Sequence, residues 1–392
     1  MSIESPAAQL DILRRGAAQI INEAELLAKL RLGRPLNVKL GVDPTAPDIH
    51  LGFSVALTKL RQFQDLGHQA ILIIGDFTAM IGDPTGRSKT RPQLTHGMVM
   101  ENAKSFQAQA FKILDPARTK TVFNGEWFEL MTFDQVMKLN ARVTMQQMLQ
   151  REDFRKRIDA GEPVHLHEVQ YPIMQGWDSV MIKADVELGG TDQLFNILVG
   201  RDLQRDQGQP EQVVFLLPLL VGSDGEKKMS KSYGNYIGVN EPPNDQFQKL
   251  MAISDATMAT YYTLLLGELQ PPGDPYEAKK QLAARIVERY HGSEAARGAR
   301  EDYESRSKKD FANADLLVVS LAGVAPDILS IVVAAFDSAF GLKKSRGDAR
   351  RLVEQGSVQL RGEKITDPKA APTVAEGDDL RLDKTHAVRI GA

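Results

Sequence analysis

The first two-thirds of the chain alternates short continuous apolar runs with amphipathic stretches. Leu36–Val42 reads as a strand. Phe53–Leu66 follows as a helix, with Val55, Leu57, Leu60, Phe63 and Leu66 along one face. Ile71–Ile74 has no polar alternation, as expected of a strand covered on both faces. Asp185–Leu188 and Val213–Leu220 are further strands, with a helix from Gln193 to about Gln204 between them. Strand–helix alternation of this kind predicts an α/β fold with a Rossmann-like parallel sheet, whose ligands bind beyond the carboxyl ends of the strands. Those ends fall after Val42, Ile74, Leu188 and Val221.

The pattern then changes twice. Thr132–Ala160 is a helical insertion, and Pro242–Tyr303 is helical without strand candidates. Beyond a basic stretch at Arg306–Lys309, the spacing predicts helices over Asp327–Phe340 and Gly347–Gln355, then short strands with turns at Gly356, Gly362 and Gly377. The expected organisation is a catalytic domain over 1–225, a helical domain over 226–329 and a small α+β module over 330–392.

Composition narrows the classes. At 392 residues the chain is long enough for two or three domains. Its net charge of −3 advertises no global field for nucleic acid, so any RNA binding rests on local basic patches. There is no Cys, and the seven His lack ligand-like spacing, so no structural metal is expected. No apolar run approaches about 20 residues and the N-terminus has no apolar signal core, so a soluble cytoplasmic protein is expected.

The candidate chemistry is concentrated in a few strings. Lys228-Met229-Ser230-Lys231-Ser232 sits in a polar, Gly-bearing loop after the Val213–Val221 run. Its two ammonium groups and two hydroxyls suit a polyphosphate, although most Lys-rich runs are simply solvated. His50-x-Gly52 lies between a strand and a helix, where backbone N–H groups and the helix dipole favour an anion. Tyr171, Gln175 and Asp178, at i, i+4 and i+7, share one face of a helix whose neighbours are apolar. Such polar groups, if buried, need partners. Gly189-Gly190-Thr191-Asp192-Gln193 reads as a strand end with an N-cap, and Gly82–Arg91 as a Gly/Pro turn followed by a basic loop.

Together, KMSKS and the HLGF string at His50–Phe53 resemble the two signatures of class I aminoacyl-tRNA synthetases, in the right order and about a domain apart. The surrounding residues resemble the bacterial tyrosyl-tRNA synthetases over essentially the whole chain. That resemblance implies activation of L-tyrosine with Mg-ATP, transfer to tRNA(Tyr), and a homodimer to which the 132–160 insertion contributes. It implies phosphate contacts from Thr45, His50, Lys228, Lys231, Ser232, Arg87 and Arg91. Gly52 and Gly190 would let the nucleotide approach, and Asp192 would hold its ribose. Asp83, Tyr171, Gln175 and Gln193 would meet the amino acid's ammonium and carboxylate, Asp43 the ammonium or the adenylate, and Asp178 the phenol hydroxyl. The segment from about Ser330 resembles an RNA-binding module shared with a ribosomal protein, with Lys343, Lys344, Arg346, Arg350, Arg351 and Arg361 as its basic surface.

Two positions depart from the family. Phe53 replaces a usual His and donates nothing to phosphate. Lys39 replaces a Tyr that meets the substrate hydroxyl; it either donates to the phenol oxygen while pairing with Asp178, or points away. Three rivals stand beside the tyrosyl reading: the tryptophanyl enzymes, a nucleotidyl-transferring ligase such as pantothenate synthetase, and an RNA-binding protein on a decayed synthetase core.

Overall fold

A computed structural model describes residues 4–83, 94–307, 316–383 and 386–391, with side chains at 305–307 left out. The chain divides into two compact units, Met1–Arg300 and Glu301–Ala392.

The first unit is built on a six-stranded sheet: β1 Gln19–Ile21, β2 Asn37–Val42, β3 Gln69–Ile74, β4 Thr119–Phe123, β5 Val186–Gly190 and β6 Val213–Leu217. The spatial order is β1-β6-β5-β2-β3-β4. All neighbours are parallel except β1, which runs antiparallel to β6. The absence of alternation in ILII and VVFLL is explained: every residue of β6, and all of β3 but Gln69, is buried. Fully burying one such side chain contributes about 1.5–3 kcal/mol. Lys39 is the exception, an ammonium with no exposed surface in the middle of β2.

Strand order reverses at β2: β3 and β4 continue to one side, while β5 and β6 return to the other. A crevice opens at such a switch point, because the chains leaving the two adjacent strands diverge to opposite faces. Here Asp43 follows β2 and Gly190 ends β5.

The expected helices are present. Leu51–Asp65 buries Val55, Leu57, Leu60 and Phe63 as the spacing predicts. Leu166–Met181 is mostly buried, and Leu194–Asp206 packs beside it. The insertion is broken into Phe133–Asn140, Met145–Leu149 and Glu152–Asp159. Beyond the KMSKS loop, Pro243–Ala252, Asp255–Tyr261 and Pro275–His291 belong to this same unit. Tyr290 Oη donates to Ser54 Oγ at 2.9 Å and Tyr261 Oη to the Val221 carbonyl at 2.8 Å, tying these helices to the signature segments.

The second unit has a five-stranded sheet of order β7-β11-β10-β8-β9, from β7 Leu317–Ser320, β8 Gln359–Leu360, β9 Glu363–Lys364, β10 Asp379–Arg381 and β11 Ala387–Gly391. Helices Ile328–Phe340 and Arg346–Glu354 bury Val332, Phe336, Ala349 and Val353 against it. The predicted turns at Gly356, Gly362 and Gly377 have φ of +64°, +83° and +89°, which favours glycine.

Candidate active site

A cleft of about 990 Å³ lies beyond the carboxyl ends of β2 and β5. Of the residues singled out on sequence for small-molecule chemistry, it brings together Asp43, Thr45, His50, Gly52, Asp83, Tyr171, Gln175, Asp178, Gly190, Asp192, Gln193, Lys228, Lys231 and Ser232. Arg87 and Arg91 lie outside the described residues.

One end of the cleft is basic. Met229 anchors the KMSKS loop: it is 5% exposed, its N–H donates to the Leu220 carbonyl at 2.7 Å, and its sulfur accepts from Gly52 N at 3.3 Å. The two signature strings therefore touch. Gly52 leaves room for this, since a Cβ there would sit 3.0 Å from the His50 ring and 3.4 Å from Met229 Cβ. Around the buried Met, the lysines remain partly exposed. Lys228 Nζ lies 3.2 Å from Asp192 Oδ2 and Lys231 Nζ 3.6 Å from Asp48 Oδ2. Exposed pairs of this kind are worth less than about 1 kcal/mol, so either ammonium is cheaply released to a stronger anion. Ser230 and Ser232 bond through their hydroxyls at 2.8 Å.

The helix N-terminus differs from expectation. Leu51 N donates to the Ile237 carbonyl, Gly52 N to the Met229 sulfur, and Phe53 N and Ser54 N to the His50 carbonyl. The first N–H groups are thus engaged by the protein, which leaves the dipole and the His50 ring as the features facing an anion. Burial, then Lys231, pushes His50 down to about 4, so the ring is neutral at pH 7. Its Nδ1 is buried without a hydrogen-bond partner among the described residues. A neutral ring has one donor and one acceptor nitrogen, so it can donate toward a phosphate oxygen without carrying charge.

The other end is acidic and buried. Tyr171 Oη donates to Asp43 Oδ2 at 2.9 Å, and Thr78 Oγ1 donates to Asp43 Oδ1 at 2.8 Å. Gly75 is required there, because a Cβ would fall 2.1 Å from Asp43 Oδ1. Asp178 is 4% exposed and accepts from Trp127 Nε1 at 3.1 Å and Asn124 Nδ2 at 3.4 Å. Burial pushes its carboxyl up to about 7 against the opposing pull of Lys39 and of these two donors, with Glu187 adding to the rise. A group held between its two protonation states at neutral pH, in a cleft, is a functional-site signal.

Between the ends, Gln193 Nε2 donates to Asp83 Oδ2 at 3.0 Å, and Arg151 Nη2 lies 3.9 Å from Asp83 Oδ1. Lys39 pairs with Glu187 at 2.9 Å. Of the two arrangements open on sequence, the pairing with Asp178 is replaced by one with Glu187. Phe53 lies edge-on to Phe106, centroids 5.1 Å apart.

Sequence reasoning missed Asn124, Trp127, Arg151, Glu187 and Asn235. Asn235, 3% exposed, holds the KMSKS loop by accepting from Ser230 N at 2.9 Å and donating to the Lys228 carbonyl at 3.2 Å and Asp224 Oδ2 at 2.8 Å. Its proximity to the motif was the one available signal. The others come from distant loops with no local pattern.

In the second unit Lys343, Lys344, Arg346, Arg350 and Arg351 are all exposed. Arg346 pairs with Asp327 at 3.0 Å and Arg351 with Asp348 at 3.0 Å. Arg361, also exposed, pairs with Asp378 at 2.8 Å and donates to the Thr373 carbonyl at 2.7 Å.

Comparison with known proteins places this geometry. Residues 31–308 match the family model described as tRNA synthetases class I (W and Y). The chain is 50% identical to the tyrosine–tRNA ligase of Aquifex aeolicus (strain VF5), covering 93% of each protein. It is 47% identical to that of Moorella thermoacetica, over 98% of this chain and 96% of the relative. Among solved structures it resembles a C-terminally truncated Coccidioides posadasii mitochondrial tyrosyl-tRNA synthetase, with TM-score 0.61 and 25% identity over 75% of this chain and 91% of that one. The fold also matches an Archaeoglobus fulgidus tyrosyl-tRNA synthetase solved with L-tyrosine, with TM-score 0.57 and 22% identity, over 75% of this chain and 99% of that one.

Proposed function

The chain belongs to the class I tRNA synthetases of the W and Y type, and we propose that it is a tyrosine–tRNA ligase acting in two steps. The carboxylate of L-tyrosine attacks the α-phosphorus of Mg-ATP, forming tyrosyl-adenylate and releasing pyrophosphate. The terminal ribose hydroxyl of tRNA(Tyr) then takes the tyrosyl group and AMP leaves. No side chain need act as nucleophile; positioning and charge stabilisation carry the reaction.

The observation that carries the reading is Asp178, a carboxylate 4% exposed at the acidic end of the cleft, opposite the lysines. A tyrosine placed with its ring toward Asp178 would donate its phenol hydroxyl there. Its ammonium would lie among Tyr171, Gln175, Asp43 and Asp83, with Gln193 beside its carboxylate. ATP would then lie along Gly52, Gly190 and Asp192, with its phosphates toward Thr45, His50, Lys228, Lys231 and Ser232, and with Arg87 and Arg91 completing the contact. An indole N–H, like a phenol hydroxyl, can donate to a buried carboxylate, so the choice of tyrosine over tryptophan rests on the named relatives.

The tRNA would be held in part by Lys343, Lys344, Arg346, Arg350 and Arg351, through phosphate contacts. The protein would act as a cytoplasmic homodimer. Support for the dimer comes from exposed apolar side chains around the insertion, Leu130 and Phe133 at 80% exposure and Leu166 at 76%. A second copy packed on this segment would take these side chains out of water. The test of the reading is charging: tRNA(Tyr) transcript should accept labelled tyrosine, and tRNA(Trp) transcript should accept nothing.

Tyrosine use should depend on pH through Asp178. A phenol donates best to a carboxylate, so kcat/KM for tyrosine should rise with pH, with a midpoint near 7. His50, at about 4, does not titrate in that range. The stability sign is opposite. Folded Asp178 keeps its proton up to about 7 whereas the unfolded chain releases it near 3.8, so its contribution favours the fold at low pH and is lost as pH rises through 7. Asp178→Asn should flatten the profile, which steady-state kinetics from pH 5.5 to 8.5 would check.

Phe53→His should accelerate activation, since a charge-assisted hydrogen bond to phosphate is worth about 1.5–3 kcal/mol. Loss of the Phe106 contact should lower stability by about 0.5–1.5 kcal/mol. Pre-steady-state activation rates and thermal melts separate the two effects.

A further inference from the structure

Lys39 and Glu187 face each other across paired strands, in direct register between β2 and β5. Neither has more than 1% of its side chain exposed, and their charged atoms are 2.9 Å apart. Two ions in the centre of a parallel sheet are costly, and replacing such a pair with apolar residues is often neutral or stabilising. Their partners suggest what the pair does here.

The Lys39 ammonium uses all three of its protons. Besides Glu187 it donates to the Gln175 carbonyl and to Ser179 Oγ, both at 2.7 Å. Glu187 is equally filled. Ser179 Oγ donates to its Oε2 at 3.0 Å, Gln212 Nε2 donates to the same oxygen, and Gln175 Nε2 donates to Oε1 at 3.2 Å. An ionised carboxylate only accepts. Gln175 must therefore turn its nitrogen toward Glu187 and its oxygen away.

The same logic runs in from the other side. Arg151, which only donates, gives Nη1 to Asn196 Oδ1 at 3.1 Å. Asn196 must then present its nitrogen, which donates to Gln175 Oε1 at 2.9 Å and to Gln193 Oε1 at 3.1 Å. Two ions with no choice of role thus fix every amide between them. Gln175, Gln193 and Glu187 line the cleft, whereas Lys39, Asn196 and Arg151 stand behind it.

We infer that Lys39 and Glu187 are positioning residues for amino-acid recognition: the buried pair holds the Gln175 amide with its oxygen available to the substrate's ammonium group. This rests on the amino-acid-binding reading of the cleft given above. Lys39 does not itself touch substrate. Its part is to hold the Glu187 carboxylate by their ion pair, where it accepts from the Gln175 amide.

Glu187→Gln supplies a side chain that can donate as well as accept, so the Gln175 amide loses one of the two partners that fix its sense, leaving only Asn196, and Lys39 loses its counter-charge. Lys39→Met leaves Glu187 buried without its cation. Each single variant is expected to raise KM for tyrosine about tenfold or more, with KM for ATP within about twofold of the parent. The double variant Lys39→Met/Glu187→Gln removes both ions together, so it keeps the inference testable if either single variant fails to fold. It should show a smaller rise than the singles, about threefold, because neutral amides still permit the productive orientation.

The measurement is tyrosine- and ATP-dependent pyrophosphate exchange on full-length protein, with thermal melts to confirm folding. A rise confined to tyrosine KM, partly reversed in the double variant, supports the inference. Tyrosine KM within about twofold of the parent in the folded variants overturns it, as does an equal loss for tyrosine and ATP, which would mark the pair as structural only. Absence of tyrosine-dependent exchange in the parent protein is a different failure, and sinks the reading of the cleft itself.

Discussion

Replacing Asp178 with alanine is expected to lower kcat/KM for tyrosine by about 10- to 150-fold, the equivalent of one hydrogen bond between a phenol and a carboxylate at about 1.5–3 kcal/mol. Phenylalanine should respond in the opposite sense. In the parent protein phenylalanine leaves Asp178 facing an aromatic ring edge with nothing to accept from it on that side. Trp127 and Asn124 already donate to the carboxylate, but they do so from the protein. Covering the third side with an apolar ring removes solvent without supplying a donor, and that penalty disappears in Asp178→Ala. The discrimination between the two amino acids should therefore fall by more than the loss of tyrosine activity alone. At pH 8, where the carboxylate is charged, removing Asp178 relieves the cost of its buried charge and leaves Trp127 Nε1 and Asn124 Nδ2 without this acceptor, so the two effects oppose and the fold should change little in stability. Pyrophosphate exchange with each amino acid, alongside melts at pH 8, checks both statements. A variant that loses both activities equally would mean that Asp178 supports the fold of the cleft rather than reading the substrate.

Lys228→Ala and Lys231→Ala should each slow tyrosyl-adenylate formation by about 10²- to 10³-fold, the usual loss when one preorganised donor to developing charge is removed. In this structure both ammonium groups are in partly exposed pairs, with Asp192 and Asp48. Neither pair holds the lysine strongly, so the loop is poised to exchange a carboxylate for phosphate oxygens. Met229 gives that exchange a pivot, because the residue between the lysines stays buried against Gly52. In the assigned orientation the lysines meet phosphate rather than the amino acid, so KM for tyrosine should move by less than about threefold in either variant. Rapid-quench measurement of the first turnover checks the rate, and tyrosine titration checks the split. A large change in tyrosine KM would place the lysines near the amino acid and reverse the assigned orientation of the cleft.

Much of the fold was legible because buried parallel strands leave a simple trace. ILII and VVFLL sit between sheet faces that are both covered, so no polar residue interrupts them. The helix at Leu51–Asp65 was readable for the complementary reason: it has one covered face and one wet one. The two strands of the first sheet that went unnoticed lie at its edges, as does the unnoticed β7 in the second unit's sheet. β1 is three residues long, and β4, TKTVF, exposes its Lys120. Edge strands carry less of the burial that makes a pattern.

The candidate site divides the same way. Residues carried by contiguous strings, such as His50 and Gly52 or Lys228 and Lys231, were visible because chemistry on one loop needs its groups adjacent in sequence. The residues that orient them were not. Glu187 is one charge inside an apolar strand, and Arg151 is one arginine in a helical insertion rich in charge. Their roles depend on which elements pack together, and nothing local encodes that. Lys39 shows the limit most clearly. On sequence its partner was open between Asp178 and none, and the register of β2 against β5 supplies Glu187 instead. The helix N-terminus gives the converse lesson: a strand–turn–helix pattern suggested free N–H groups, and a methionine sulfur and a carbonyl from a later segment occupy the first two.

The central claim is that this cleft activates tyrosine, and the most direct test is amino-acid-dependent exchange of labelled pyrophosphate into ATP with tyrosine, phenylalanine and tryptophan run side by side. Exchange with tyrosine, and none above background with the other two, is the predicted result. Exchange with tryptophan instead, or with none of the three in folded protein that still binds tRNA, would contradict it.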